Sequence, residues 1–358
     1  MGVVTAVKVF LGFAVVYTIA SFWSVVIVLP ILLKGFMSSP IRFFQRRRRE
    51  IKPACLNDPS LGTHTYVRLQ GLRMHCVVNG KEGKPLMLFV HGFPEGWYSW
   101  RHQLREFGQD YRCVAIDMRG YGETDKPPNV SDYTMDKLTG DIKQLIPALG
   151  YESCVLVSHD WGGVIAWAFA EKYPDMVDKL ITMNAPHRKA FADIMNHNKK
   201  QLFMSWYIFF FQLPWFPEFL ISHNDYDILQ KSFRGADGKV IGSMTPEDLE
   251  AYTYCFSQPN TLTSAINYYR ASMRTSIWQQ AQPREGKREG SGKITVPVLT
   301  IWGDADKALH KDLPELARKY NTDYTLKYIH GCSHWTQQER PDVVNEMMKE
   351  FLKRKKLE

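Results

Sequence analysis

The residues best placed to do chemistry lie in the run Val155-Leu-Val-Ser-His-Asp-Trp-Gly-Gly163. An apolar, strand-like stretch leads into Asp160 and then into helix-forming sequence. Small residues, Ser158 and Gly162, stand two positions to either side, as a very sharp strand-to-helix turn demands, because larger neighbours would clash. Asp160 could equally be a plain helix N-cap, which Asp does well; alone, the run allows both readings. As a nucleophile, an Asp is ionised at neutral pH, with an unperturbed pKa near about 3.9, and needs no base before it attacks. Its natural target is an sp³ carbon bearing a leaving group. The product is an ester of Asp160, so a histidine is still required to activate water.

Two later segments supply the missing groups. Gly331-Cys-Ser-His334-Trp follows the last strand-like run, and Trp302-Gly-Asp-Ala-Asp306 follows the one before it. His334 is the expected base and Asp306 the carboxylate that orients it, with Asp304 as the competing acid. Earlier, Phe89-Val-His91-Gly92-Phe93-Pro94-Glu95 ends another strand-like run. The backbone N–H groups of Phe93 and Trp161 are expected to hold the oxyanion that forms when water attacks the ester, while His91 and Pro94 shape the loop.

The elements that must position these loops are legible as alternation. Strands are expected at 66–79, 86–91, 112–117, 154–158, 179–184, 296–302 and 324–329, and helices at 135–149, 162–172 and 341–353. That order specifies a doubly wound, mostly parallel sheet with helices on both faces. From about His187 to Gln280 the strand rhythm stops, and helical stretches such as 203–212 and 245–257 replace it. A helical insertion of this kind reads as a lid over the C-terminal sheet edge, where such sheets bind ligands. Residues 280–293, rich in Gly and charge, read as a flexible exit from it. The expected division is 1–52 anchor and basic flank, 53–186 and 294–358 the two parts of the core, and 187–293 the lid.

The 358 residues carry a net charge of +8, which would suit a nucleic-acid binder if it were spread over a folded face. It is not: eight basic residues and a single acidic one fall within the first 52, so the remainder is nearly neutral and no nucleic-acid partner is expected. Between Val9 and Leu33 there is no charged residue, and as a helix this stretch spans about 38 Å, enough to cross a hydrocarbon core. Leu29-Pro-Ile-Leu-Leu33 followed by Lys34 does not resemble a signal-peptide cleavage site, so a retained, single-pass anchor is expected. Arg46 to Arg49 outweigh Lys8, which by the positive-inside rule puts the main domain in the cytosol, at the endoplasmic reticulum. The sequon Asn129-Val130-Ser131 argues the other way and weighs less. Six scattered cysteines fit a reducing compartment and suggest no metal site.

Together, His91-Gly-Phe-Pro-Glu95, Ser158-His-Asp-Trp-Gly-Gly163, Asp306 and Gly331-Cys-Ser-His-Trp-Thr-Gln337 closely resemble the α/β-hydrolase epoxide hydrolases, from about Thr63 to the C-terminus. The anchor makes the chain most similar to the small membrane-anchored animal members. The resemblance implies an α/β-hydrolase fold, no metal or organic cofactor, and two lid tyrosines that donate to the epoxide oxygen. Among Tyr207, Tyr226, Tyr252, Tyr254, Tyr268 and Tyr269, elementary chemistry does not choose. The segments Trp206-Tyr207 before Phe210-Phe211-Gln212-Leu-Pro, and Asn267-Tyr268-Tyr269-Arg270, match the family's at Tyr207 and Tyr269. The expected activity is hydrolysis of lipophilic epoxides, including those of fatty acids, through an Asp160 ester. A haloalkane dehalogenase shares the nucleophile, but it would not need the tyrosine pair and often has a halide-binding Asn where Phe93 stands. The non-enzymatic alternative is a membrane-anchored receptor or scaffold that kept the fold.

Overall fold

Eight strands form one sheet in the order β1-β2-β4-β3-β5-β6-β7-β8. They are β1 (Thr63–Leu69), β2 (Leu72–Asn79), β3 (Leu86–Val90), β4 (Arg112–Ile116), β5 (Cys154–His159), β6 (Val177–Met183), β7 (Val298–Gly303) and β8 (Tyr324–Ile329). The computed structural model describes residues 2–235, 237–281 and 293–354. All pairs from β4 to β8 are parallel, and β1 and β2 add an antiparallel edge. Every residue of β3, β5 and β7 is buried, so these strands are apolar for most of their length rather than alternating. The long strand expected over 66–79 is a hairpin instead. Gly71, at φ 73°, supplies the left-handed turn residue between β1 and β2, which alternation alone does not reveal.

The sheet order reverses around β3, and its register aligns Val90 with Ser158. The loops after β3 and β5 therefore leave the same edge side by side, where a doubly wound sheet opens its crevice. The helices at Met135–Ala148 and Pro341–Lys353 lie where expected, and that at Asp160–Lys172 begins two residues early.

Between β6 and β7 the described chain forms helices from Arg188 to Ser232 and from Pro246 to Ala281, with a non-helical stretch and an isolated bridge, Arg234 to Val240, between them. Residues 203–212 are not one helix: Ser205 separates Lys199–Met204 from Trp206–Phe210. Thr245 caps the helix Pro246–Ser257 in a reciprocal box with Asp248. The glycine-rich exit expected at 280–293 falls almost wholly outside the described residues.

The N-terminal helix runs from Val3 to Ser38 and is long and apolar enough to cross a membrane. It is continuous through a π turn at Ser24–Val28, just before Pro30, whose ring and missing N–H disturb the preceding turn. Arg47 and Arg49, in the basic run that follows it, are tied to the lid. The Arg49 guanidinium is 5% exposed and reaches Asp225 Oδ1 and Glu250 Oε1, each at 2.7 Å, and the Arg47 N–H donates to Asp225 Oδ1 at 2.9 Å. These bonds hold Asn224, Asp225 and Tyr226 in the left-handed region, where side chains other than glycine are strained. All six cysteines are free thiols.

Candidate active site

Asp160 sits at φ 48° between β5 and its helix, a left-handed conformation that points its carboxylate out of the sheet edge. The turn works only because its surroundings are small. A Cβ on Gly162 would lie 2.1 Å from the Val90 carbonyl oxygen, and one on Gly92 would lie 2.4 Å from Asp160 Cβ. The backbone of the β3 loop can thus approach the carboxylate, and the Phe93 N–H donates to Asp160 Oδ1 at 2.8 Å. Trp161 follows in the first helical turn, whose N–H groups have no intrahelical acceptor.

His334 presents Nε2 to Asp160 Oδ2 at 3.5 Å and Nδ1 to Asp306 Oδ2 at 2.7 Å. Asp306 is fixed on every side. Its Oδ2 also accepts from Asn184 Nδ2 at 2.7 Å, and its Oδ1 accepts from the N–H groups of Ala308 and Leu309 at 2.7 and 3.0 Å. Asp304 is turned away, bonded to His330 and to the Gly331 N–H, so the choice between the two acids falls on Asp306. Burial by itself would raise the Asp160 pKa, but His334 and the Phe93 N–H hold it below the usual carboxylate range. Burial opposes a charge on His334, yet the two carboxylates prevail and raise its pKa well above the ordinary value. The His334 ring thus lies between two carboxylates, an arrangement that favours its protonated form.

The lid covers this polar row with aromatic rings. Tyr269 packs edge-on against Trp161, Phe211 and Phe93 with ring centroids 4.9, 4.9 and 5.5 Å apart, and Tyr207 lies 5.9 Å from Tyr269. Burial, followed by the nearby Asp160 charge, pushes both phenols well above their ordinary pKa, so both remain protonated donors. Other lid tyrosines are occupied elsewhere: the Tyr268 hydroxyl donates to the Arg119 carbonyl and that of Tyr252 to Gln338 Oε1, each at 2.7 Å.

Several supporting residues escaped the reading of the sequence. Asn184 ends β6 and ties Asp306 to Gly303. Beneath the site, His159 joins Glu95 Oε2 through Nδ1 at 2.7 Å and donates from Nε2 to the His334 carbonyl at 2.8 Å. Glu95, fully buried, also accepts from the Gly92 N–H at 3.1 Å and from the side-chain amides of Gln337 and Gln338 at 2.9 and 2.8 Å. Burial would raise Glu95, but His159, followed by the Gly92 N–H, leaves it below the ordinary range. The only available signal was the presence of Glu95, His159 and Gln337 inside the three motifs. His91 is structural as expected: its Nε2 accepts from the Met118 N–H, leaving Nδ1–H to donate to the Gly92 carbonyl.

A buried carboxylate, a histidine and acid pair, a backbone donor and two protonated phenols come together at one edge of the sheet, beneath the lid. Such a set can attack carbon, donate protons to oxygen and then hydrolyse an ester, which is hydrolase chemistry on a doubly wound sheet. The family model described as the alpha/beta hydrolase fold matches residues 85–225. The chain is 46% identical over 328 residues to epoxide hydrolase 4 of Homo sapiens, covering 90% of this chain and 88% of that protein. It is 43% identical to epoxide hydrolase 1 of Caenorhabditis elegans, covering 90% and 77%. A crystal structure of an epoxide hydrolase from Bacillus megaterium superposes with a TM-score of 0.72 at 33% identity, covering 81% of this chain and all of that one. The chain belongs to the epoxide hydrolases of the α/β-hydrolase fold.

Proposed function

We propose that the chain converts lipophilic epoxides, those of fatty acids among them, to vicinal diols through a covalent ester on Asp160. An Asp160 carboxylate oxygen attacks one ring carbon, the C–O bond opposite breaks, and the electron pair goes to the epoxide oxygen. Tyr207 and Tyr269 donate hydrogen bonds to that oxygen; one phenol gives it a proton, forming the hydroxyl, and is then reprotonated from solvent. No atom leaves, because the oxygen stays tethered to the skeleton. Ester formation removes the Asp160 charge, one of the two that keep His334 protonated. His334 can then release its proton to solvent and take one from the water that attacks the ester carbonyl. The tetrahedral oxyanion is held by the Phe93 and Trp161 N–H groups; its collapse breaks the bond to the substrate oxygen, which receives the proton from His334 and leaves as the diol, and Asp160 is regenerated as a carboxylate. Asp306 orients and stabilises the imidazolium throughout.

The observation that carries this reading is the chain of contacts from the Phe93 N–H through Asp160 and His334 to Asp306 beneath two protonated phenols. A dehalogenase has no use for those phenols, and a scaffold has no use for the complete row. His334→Gln should let Asp160 react and then stall. Intact-protein mass spectrometry should show a gain equal to the whole epoxide, mapped to the Asp160 peptide. A folded variant that gains nothing from a broad epoxide panel, or that gains only dehalogenated haloalkane, would overturn the proposal.

The N-terminal helix is proposed to hold the protein on the endoplasmic reticulum membrane with the core, residues 53–186 and 294–358, and the lid, 187–293, in the cytosol. The basic residues Lys34, Arg42 and Arg46 support that side, because the cytosolic leaflet is the anionic one and attracts basic segments beside it. Protease added to intact microsomes should digest the core and find no glycan on Asn129; full protection with a glycan would reverse the orientation.

A further inference from the structure

Val9, Val16, Ala20, Trp23, Val28 and Leu32 are the apolar residues of the N-terminal helix that the rest of the protein buries. Their steps trace one stripe, and the single step of five falls at the π turn, which keeps the stripe on one face. The stripe lies along the lid. Val9 and Val16 pack with Ile277 and Ala281, Trp23 meets Phe203 with ring centroids 5.4 Å apart, and beyond the helix Phe43 meets His223 at 5.1 Å. Approach is closest at Gly12, where a Cβ would stand 2.8 Å from Ile277 Cγ2.

The opposite face is apolar as well, and it has no partner among the described residues. Val4, Phe10, Val15, Phe22 and Val26 are each at least half exposed. A helix docked on a water-soluble surface turns a polar face outward, and this one does not. The single-pass orientation expected from its length does not fit this pose, because Val9 and Trp23 would carry the lid helices with them into the hydrocarbon.

We infer that the helix lies in the plane of one leaflet, between the lid and the acyl chains, so that the lid itself is seated on the lipid surface. The inference rests on the membrane attachment proposed above and specifies its geometry. Phe203, Trp215 and Trp278, exposed on the lid, extend the apolar face with rings suited to the interface. Lys8 and Lys34 are exposed at the two ends of the uncharged run, and in this pose both reach the headgroups of the same leaflet. The helix packs on Trp206–Phe210 and Thr261–Ala281, the lid helices that carry Tyr207 and Tyr269. A lipophilic epoxide leaving the bilayer thus meets the lid beside both phenols.

A paired substitution tests the pose. The Cβ built on Gly12 lies 3.8 Å from Ile277 Cβ, within the span of about 3.5–4.5 Å that a disulfide bridges. In microsomes bearing the full chain, mild oxidation of Gly12→Cys with Ile277→Cys should link positions 12 and 277, read as a gel shift and a joined peptide. Phe10→Cys with Ile277→Cys, which starts on the outward face, should remain unlinked. A membrane-bound chain that never links 12 to 277 overturns the in-plane pose and leaves membrane attachment standing. A linked chain recovered in the soluble fraction overturns both and assigns the apolar face to a protein partner, such as a second copy.

Discussion

The two halves of the site are held by different forces. On the sheet side, Asp160, His334 and Asp306 are bound by directional contacts to Phe93, Asn184, Ala308 and Leu309, and a second layer of Glu95, His159, Gln337 and Gln338 fixes the loops that carry them. On the lid side, Tyr207 and Tyr269 are positioned by edge-on rings. Hydrogen bonds specify an atom's position, whereas aromatic packing specifies a cavity and leaves room for substrates of different shape. The difference suits the proposed reaction, in which the Asp160 carboxylate and His334 must meet within a narrow tolerance while the lid shapes the space for the epoxide.

Substitutions can break that contrast. Asp160→Asn, which still tolerates the left-handed backbone, should lower diol formation by about four orders of magnitude or more, with thermal unfolding near that of the parent. Asp306→Asn should leave ester formation nearly intact and slow its hydrolysis by about 10³-fold, so that rapid-quench sampling finds the ester accumulated. On the lid, Tyr207→Phe or Tyr269→Phe should each slow ester formation by about tenfold and the pair by about a hundredfold, measured as single-turnover rates. An effect of either phenol on hydrolysis alone would move it to the other half of the contrast.

The pH response should divide in the same way. Asp160 is depressed and both phenols are raised, so the ester-forming rate should stay flat between about pH 5 and 9 and fall only outside that window. Hydrolysis needs neutral His334, whose raised pKa is supported by Asp306 alone once Asp160 is esterified. Its rate should therefore rise with pH and then level. A hydrolysis rate that fell with rising pH would remove His334 as the base. The smallest effect on rate is expected from Glu95→Gln. It leaves His159 without its carboxylate partner, costing about 3 kcal/mol in denaturant unfolding, while single-turnover chemistry changes only a fewfold.

The same contrast governs what was legible in the sequence. Asp160, Asp306 and His334 sit at strand ends, where apolar runs and turn residues announce their place, and chain order supplied their roles. Asn184, Glu95 and His159 were not found because their function lies in contacts between segments distant in sequence, which no local pattern records. Tyr207 and Tyr269 came only from resemblance. Chemistry alone left six lid phenols open, and it is the tertiary partners of Tyr268 and Tyr252 that take those two out. The hairpin at Gly71 was missed because apolar and polar residues go on alternating through the turn, and the break at Ser205 because it lies inside an aromatic-rich run. The basic run was read as a charge beside a membrane, whereas the burial of Arg49 against Asp225 and Glu250 depends on acids about 180 to 200 residues away.

The covalent ester is tested most directly by one turnover in H₂¹⁸O with enzyme in excess over epoxide. If Asp160 attacks first, the oxygen newly bonded to carbon comes from its carboxylate. The diol should then be unlabelled, and mass spectrometry of the Asp160 peptide should find one ¹⁸O per turnover. An ¹⁸O-labelled diol from that first turnover, with an unlabelled Asp160, would show that water attacks the epoxide directly and would contradict the account.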